Sequence, residues 1–253
     1  MAREKTKEAK ISDYVMGISL CAVTLSDGRA GVAYTDRKAI PWGCSIYDEL
    51  PKVGVPAEEF INMFDSNDTL TRSLGMATIN ACINEWDRAT HNVSPTSATK
   101  ATATKGTFKA VDVMEEVEMS KSDVVGMVGY FDPMIDDIKK QSKELYIFEQ
   151  ERMPETFSPE KIPELLPKCD VLLISATTIM NRTYDSIIKY AKTNKVVILG
   201  PSTPICPEAF PEVKVFGATI VTPDAIKIVY HGGGTRNLYK EKAGKKVTLV
   251  VKN

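Results

Sequence analysis

The chain has 253 residues, 43% of them hydrophobic and 26% charged, with a formal net charge of −1. A chain of that size and make-up builds one large or two small globular domains whose core needs no metal or disulfide staple. The near-neutral balance, with no basic block interleaved with aromatics, argues against nucleic acid or an anionic membrane surface as partner.

No apolar run reaches the length that crosses a bilayer, and the charged opening from Arg3 to Lys10 carries no signal-type apolar stretch. A cytoplasmic location is expected. The cysteines, Cys21, Cys44, Cys82, Cys169 and Cys206, are odd in number and form no CxxC pair, so reduced, mostly buried thiols are expected.

In chain order the first half reads as a helix, a hairpin and two further helices. Ile18 to Leu25 is rich in β-formers and runs into Ser26-Asp27-Gly28, a strong hairpin turn because Asp and Gly both tolerate positive φ. Ala30 to Tyr34 returns as the second strand. Pro56 stands where a first helical turn tolerates it, with Phe60, Ile61 and Phe64 as the apolar face. The spacing of Leu70, Leu74, Ala77 and Ala81 predicts a longer helix from about Asp68 to Glu85. Val93 to Gly106 is dominated by Ser, Thr, Ala and Lys, which is linker composition. It sets a domain boundary near residue 105, giving domains 1–105 and 106–253. A short amphipathic helix around Ala110 to Met119 leads into the second half.

There the rhythm changes to short apolar runs alternating with helical patterns. Strands are expected at Val124 to Val128, Leu145 to Phe148, Val171 to Ile174 and Val196 to Leu199. Helices are expected at Pro133 to Lys140 and along the face formed by Tyr184, Ile187, Ile188 and Ala191. Apolar strands separated by helices imply right-handed crossovers and a parallel sheet covered on both faces.

Ligands of such a sheet bind at the carboxyl ends of its strands, which selects Gly129 to Pro133, Glu149, Ser175 to Asn181, and Gly200 to Pro204. Gly126 and Gly129 precede a helix, but the full dinucleotide fingerprint is missing, and Tyr130 and Phe131 stand where small residues are wanted. A tight turn and a phosphate contact are both open readings of that pair. Glu149 lies 20 positions after Gly129, the offset at which an acid meets a ribose, though it also fits a solvated carboxylate. Thr177, Thr178 and Asn181 can cap a helix or bond a ligand. Two prolines stiffen Gly200-Pro201-Ser202-Thr203-Pro204 while Ser202 and Thr203 present hydroxyls, which favours binding. Neither His91 nor His231 has a second His or Cys at metal-ligand spacing, and nothing pairs either with Cys44 or Cys206 as a catalytic couple. His231, before Gly232-Gly233-Gly234, reads as a helix end with a glycine cap.

Several stretches together carry a resemblance: Gly31 to Thr35, Leu74 to Ala81, Val125 to Phe131, Phe148-Glu149, Ala176 to Thr183, Gly200 to Pro204 and the Gly232 to Gly234 run. Their order resembles the prokaryotic family named Putative heavy-metal chelation. That resemblance implies an α/β fold class: an α+β enolase-N-terminal-like domain followed by a Rossmann-like domain with a mainly parallel sheet. It also implies a site at the junction. Tyr34, Thr35 and Asn80 would come from the first half. Glu149, Thr177, Thr178, Asn181, Ser202 and Thr203 would come from the second, beside the Gly129 and Gly200 turns. The implied cofactor or ligand is a metal ion or a metal chelate.

These side chains are mainly oxygen donors, which suit hard cations or polar organic ligands better than bare soft metals. The expected function is handling of a small polar or anionic ligand, a metal chelate included, between the halves, with or without catalysis. Three readings stand beside it: an enzyme using NAD or S-adenosylmethionine, a metal chaperone or storage protein, and a homo-oligomeric interaction module.

Overall fold

The computed structural model describes residues 2, 8–40, 49–84, 106–151 and 153–251. Strands β1 (Ile11–Met16), β2 (Leu20–Leu25) and β3 (Ala30–Tyr34) form an antiparallel sheet in that order. The β2–β3 hairpin turns where Asp27-Gly28 predicts, with Gly28 at φ +84° and its N–H donating to Leu25 O at 3.0 Å. β1 stands where the sequence reading expects a helix. Ser12 and Asp13 are both exposed, so the strand lacks clean alternation, and its order comes from pairing with β2.

Two helices follow, α1 (Ala57–Asn62) and α2 (Thr69–Ile83). Pro56 is the N-cap residue of α1. Asp68 caps α2 by accepting the Thr71 N–H at 2.6 Å, and Asn84 ends it one residue short of the expected Glu85, which lies outside the described residues. Of the linker reading, Val93 to residue 105 also lies outside them, while Gly106 opens a strand, β4 (Gly106–Lys109).

The second sheet has seven strands in the order β4-β10-β9-β8-β7-β5-β6. Five are parallel: β5 (Val124–Val128), β6 (Glu144–Phe148), β7 (Val171–Ser175), β8 (Val196–Leu199) and β9 (Val213–Val221). β10 (Gly244–Val251) and β4 complete it antiparallel. The crossovers hold α3 (Asp132–Gln141), α4 (Ile162–Leu165), α5 (Thr177–Met180) and α6 (Tyr184–Ile188). α7 (Ala225–Tyr230) and α8 (Thr235–Lys240) lie between β9 and β10. One face buries Leu172, Ile174, Ile198 and Phe216 against Leu165, Tyr184 and Ile187. The other buries Val125, Met127, Leu173 and Val197 against Ile135 and Ile138 of α3. Covering on both faces is the reason these strands read as unbroken apolar runs.

Two expected elements shrink. The helix at Ala110 to Met119 is a single 3-10 turn, Val113–Glu115, closed by an Asp112–Glu115 capping box. The face running to Ala191 stops at Ile188. His231 does end α7, and Gly232 takes φ +79° with Gly233 N–H donating back to Ile228 O at 2.8 Å, as a glycine cap requires. No helix among the described residues is long and apolar enough to cross a membrane.

The small sheet is covered from two sides by different halves of the chain. α1 and α2 pack on Cys21, Val23, Leu25 and Ala33. Leu20, Ala22, Ala30 and Val32 on the opposite face pack on Ala225 and Val229 of α7 and Leu238 of α8. α2 lies so close to β3 that a Cβ on Gly31 would stand 2.2 Å from both Ala77 O and Ala81 N. Gly31→Ala should therefore lower the unfolding free energy by about 3 kcal/mol, the upper end of overpacking costs. Urea denaturation checks this, and a loss under about 0.5 kcal/mol would contradict so close a contact.

Candidate functional site

Read with β5 first, the parallel strands have the doubly wound order 2-1-3-4-5, which reverses between β5 and β7. That reversal opens a crevice at the carboxyl edge. The register places specific residues there. Val128 pairs with Phe148 on one side and Ile174 on the other. The next residue on each strand therefore falls in one row: Glu149 on β6, Gly129 on β5, Ser175 on β7, in steps of about 4.8 Å. Gly129 takes φ +99°, and a Cβ there would meet Ser175 Cβ at 2.9 Å. A glycine is required by both conformation and space, and it leaves bare backbone in the middle of the row. Gly126 serves packing instead, since a Cβ on it would meet Cys169 Sγ at 2.9 Å.

A cavity of about 920 Å³ lies over this row, lined by Gly129, Glu149, Thr177, Thr178, Asn181, Gly200 and Ser202 from the second half and Tyr34 from the first. The Glu149 carboxylate is fixed locally, its Oε1 accepting the N–H of Gln150 (2.7 Å) and Glu151 (3.2 Å). Thr177 and Ser175 share a hydroxyl–hydroxyl bond of 2.8 Å, and Thr178 Oγ1 donates to Ser175 O at 2.7 Å. Asn181 Oδ1 accepts from the Thr183 hydroxyl (2.6 Å) and N–H (3.2 Å), shaping the turn into α6. None of Thr177, Thr178 and Asn181 caps a helix N-terminus, since Ala176 and Thr183 are the N-cap residues there and neither helix has a side-chain cap bond; all three border the cavity. Gly200 takes φ +119° with open space where a Cβ would be.

Three expected site residues are in the seam rather than on the cavity wall. Asn80 is buried and donates Nδ2–H to Val32 O at 2.9 Å. Thr35 is buried with its hydroxyl 3.4 Å from Cys21 Sγ. Thr203 is buried, and its carbonyl accepts from Asn84 Nδ2 at 3.0 Å while Asn84 Oδ1 accepts the Ile205 N–H at 3.0 Å. Ser202 joins both sets, because its Oγ accepts the Tyr34 N–H at 2.8 Å.

Sequence reasoning passed over the rim. Asp36, Arg37 and Lys38, on the turn after β3, line the cavity with Tyr130, Phe131, Lys189 and Tyr190. Lys38 pairs with Glu151 across the mouth, and this pairing raises the lysine pKa and lowers that of Glu151. Arg182 straps the halves together, donating to Asp65 O (2.7 Å), Ser66 O (2.9 Å) and Asn67 Oδ1 (3.3 Å). The available signal was position: residues 36–38 directly follow the Tyr34-Thr35 strand end.

A bare heavy metal does not fit these residues. Among the described residues no group of three or more His, Cys, Asp or Glu could hold a metal ion, and neither His nor Cys lines the cavity. Soft metals bind thiolates. Burial pushes Cys21 up to about 11 despite its Thr35 bond, pushes Cys169 up to about 12, and raises Cys206, so these thiols stay protonated at neutral pH. Cys44 and His91 lie outside the described residues.

Two family models, both described as Putative heavy-metal chelation, match residues 1–83 and 112–248. An uncharacterized protein of Methanocaldococcus jannaschii is 31% identical over 204 residues, covering 77% of this chain and 71% of that protein. A protein of unknown function from Pyrococcus horikoshii has a crystal structure that aligns over 99% of this chain and 96% of its own, at TM-score 0.77 and 24% identity. Another of unknown function, from Desulfitobacterium hafniense, aligns over 96% and 92% at TM-score 0.72 and 20% identity. At those identities the two structures establish the shared mixed α/β fold.

If the thiols are as inert as their burial makes them, Cys21 and Cys169 should remain unmodified when the native protein is treated with iodoacetamide at neutral pH. Both should be labelled fully after unfolding in guanidinium. Peptide mass spectrometry reads the result, and rapid native labelling of either would contradict the burial.

Proposed function

The chain belongs to the family described as Putative heavy-metal chelation, and from that premise we propose that its cavity binds a small polar or anionic molecule between the two halves, a metal chelate among the candidates. The observation that carries this reading is the chemistry of the cavity wall. Thr177, Thr178, Ser202 and the positive-φ glycines Gly129 and Gly200 line the same space as the cations Arg37, Lys38 and Lys189 and the acids Asp36, Glu149 and Glu151. Such a wall offers many donors to an oxygen-rich anion and no soft ligands to a metal. Any metal would then arrive held by the bound molecule. That Cys21, Cys82, Cys169 and Cys206 are in no disulfide supports placing the protein in the reducing cytoplasm. The two matched segments flank residues 84–111, which supports a domain boundary near residue 105.

Thermal shift tests the reading with citrate, pyrophosphate and their Fe(III) and Zn(II) complexes as probes. A ligand at 100 times its Kd stabilises by about 2.7 kcal/mol, which raises the midpoint by roughly 5–10 °C in a chain of this size. At least one probe should do so. The double variant Arg37→Glu/Lys189→Glu, both exposed positions, should keep the ligand-free midpoint and weaken that probe at least tenfold. Flat curves with the whole panel, or equal binding by the double variant, would sink the proposal.

A further inference from the structure

We infer that the ligand of this cavity carries a single ribonucleoside unit whose ribose hydroxyls are read by Glu149; the inference rests on the cavity reading above and narrows it to a chemical class. The row at the sheet edge carries the argument. Glu149 directly follows β6, the strand beside β5, as Gly129 directly follows β5, and the last registered pair of the two strands is Val128 with Phe148. In doubly wound sheets a carboxylate at the end of that neighbouring strand is the group that takes ribose hydroxyls. A carboxylate has about four acceptor sites. The Gln150 and Glu151 N–H groups occupy one oxygen, so the group is oriented in advance and keeps capacity for two hydroxyls. That preorganisation distinguishes it from a free surface acid, whose side-chain entropy would be lost on binding.

The surroundings suit the other parts of a nucleoside. Next to Glu149 the cavity wall is apolar, formed by Phe148, Ile162, Pro163, Ile187 and Tyr190, which accommodates a planar base. Toward the first half stand Arg37 and Lys38, with Lys38 close enough to the acid for Glu149 to act on its charge. An anionic 5′ substituent would meet these cations and the bare Gly129 backbone. Tyr130 and Phe131 limit the ligand to one nucleoside. They occupy the start of α3, where a dinucleotide would need small residues to lay its diphosphate against the backbone.

Isothermal titration calorimetry on the full chain decides the matter. The probes are the four ribonucleoside 5′-monophosphates, their 2′-deoxy counterparts, NAD, and citrate as a non-nucleoside anion. At least one ribonucleotide should bind, its 2′-deoxy form at least tenfold more weakly, and NAD no better than the mononucleotide. Glu149→Gln, whose amide cannot accept both hydroxyls, should weaken the ribonucleotide at least tenfold, leave the 2′-deoxy form unchanged and so erase the discrimination. An unchanged thermal midpoint shows that the variant folds. Equal affinity for ribo and deoxy forms in the native chain overturns the inference. So does citrate binding, sensitive to Arg37→Glu/Lys189→Glu, without any nucleotide binding, though that result keeps the cavity reading. Binding of neither class removes the inference, and flat thermal-shift curves with the whole anion panel remove the cavity reading as well.

Discussion

Strand β3 is the constraint on which the remainder of the structure depends. Its Ala33 side packs under α2, its Val32 side packs on α7 and α8, and its last residue, Tyr34, gives its N–H to Ser202 of the other half. A buried backbone donor that loses its partner costs about 1–3 kcal/mol, so the Ser202 bond fixes the strand end and the Gly200–Pro204 loop together. The approach of α2 at Gly31 is close enough to exclude any side chain. Shifting β3 would therefore disturb two cores at once. The cavity inherits its shape from that arrangement: Tyr34 and the turn at residues 36–38 are delivered to the rim by the same strand.

The seam around β3 also explains why Asn80, Thr35 and Thr203 are polar without lining the cavity. A seam between two halves must satisfy backbone groups that no ladder reaches. Asn80 serves Val32 O, and Asn84 serves both Thr203 O and Ile205 N–H. Asn80 Oδ1 and Thr203 Oγ1 have no protein partner despite full burial. Buried polar atoms of this kind are ordinarily met by an ordered water. The oxygen-rich stretches of the family pattern thus divide by role: Asn80 ties α2 to β3, Thr203 joins the halves through Asn84, and Glu149, Thr177 and Asn181 line the cavity.

What the sequence revealed follows from the range of the interactions involved. The strands buried on both faces, β5, β7 and β8, show as apolar runs because burial acts on each residue singly. The Glu149–Gly129 relation was visible because a strand-helix-strand unit turns spatial adjacency into a fixed sequence offset. β1 was hidden because it lacks clean alternation, and β4 because its order comes from a partner elsewhere in the chain. β4 pairs with β10, which lies more than a hundred residues away. The shared cover of the small sheet was hidden by the same distance in sequence, since Val229 and Leu238 pack with Ala22 and Val32 from the far end of the chain. Arg37 and Lys38 carry no motif of their own, and only the fold brings them to the cavity that Glu149 and Glu151 also line, with Lys38 paired to Glu151.

The family description and the cavity chemistry meet on one physical point. A heavy cation leaves water for a protein site only when thiolates, imidazoles or several carboxylates replace its hydration, and these must be deprotonated and converge. Here Cys21 and Cys169 are buried with raised pKa values, and no convergent group of ligands exists among the described residues. A cation already wrapped in an organic chelator presents oxygen atoms and net charge to its surroundings rather than open coordination positions. Hydroxyls, bare amides and rim cations recognise that surface well, and they recognise a ribonucleotide by the same chemistry. On the inference drawn above, Glu149 tells the two apart, because a fixed carboxylate accepts two hydrogen bonds from ribose hydroxyls and none from the acceptor oxygens of a chelate.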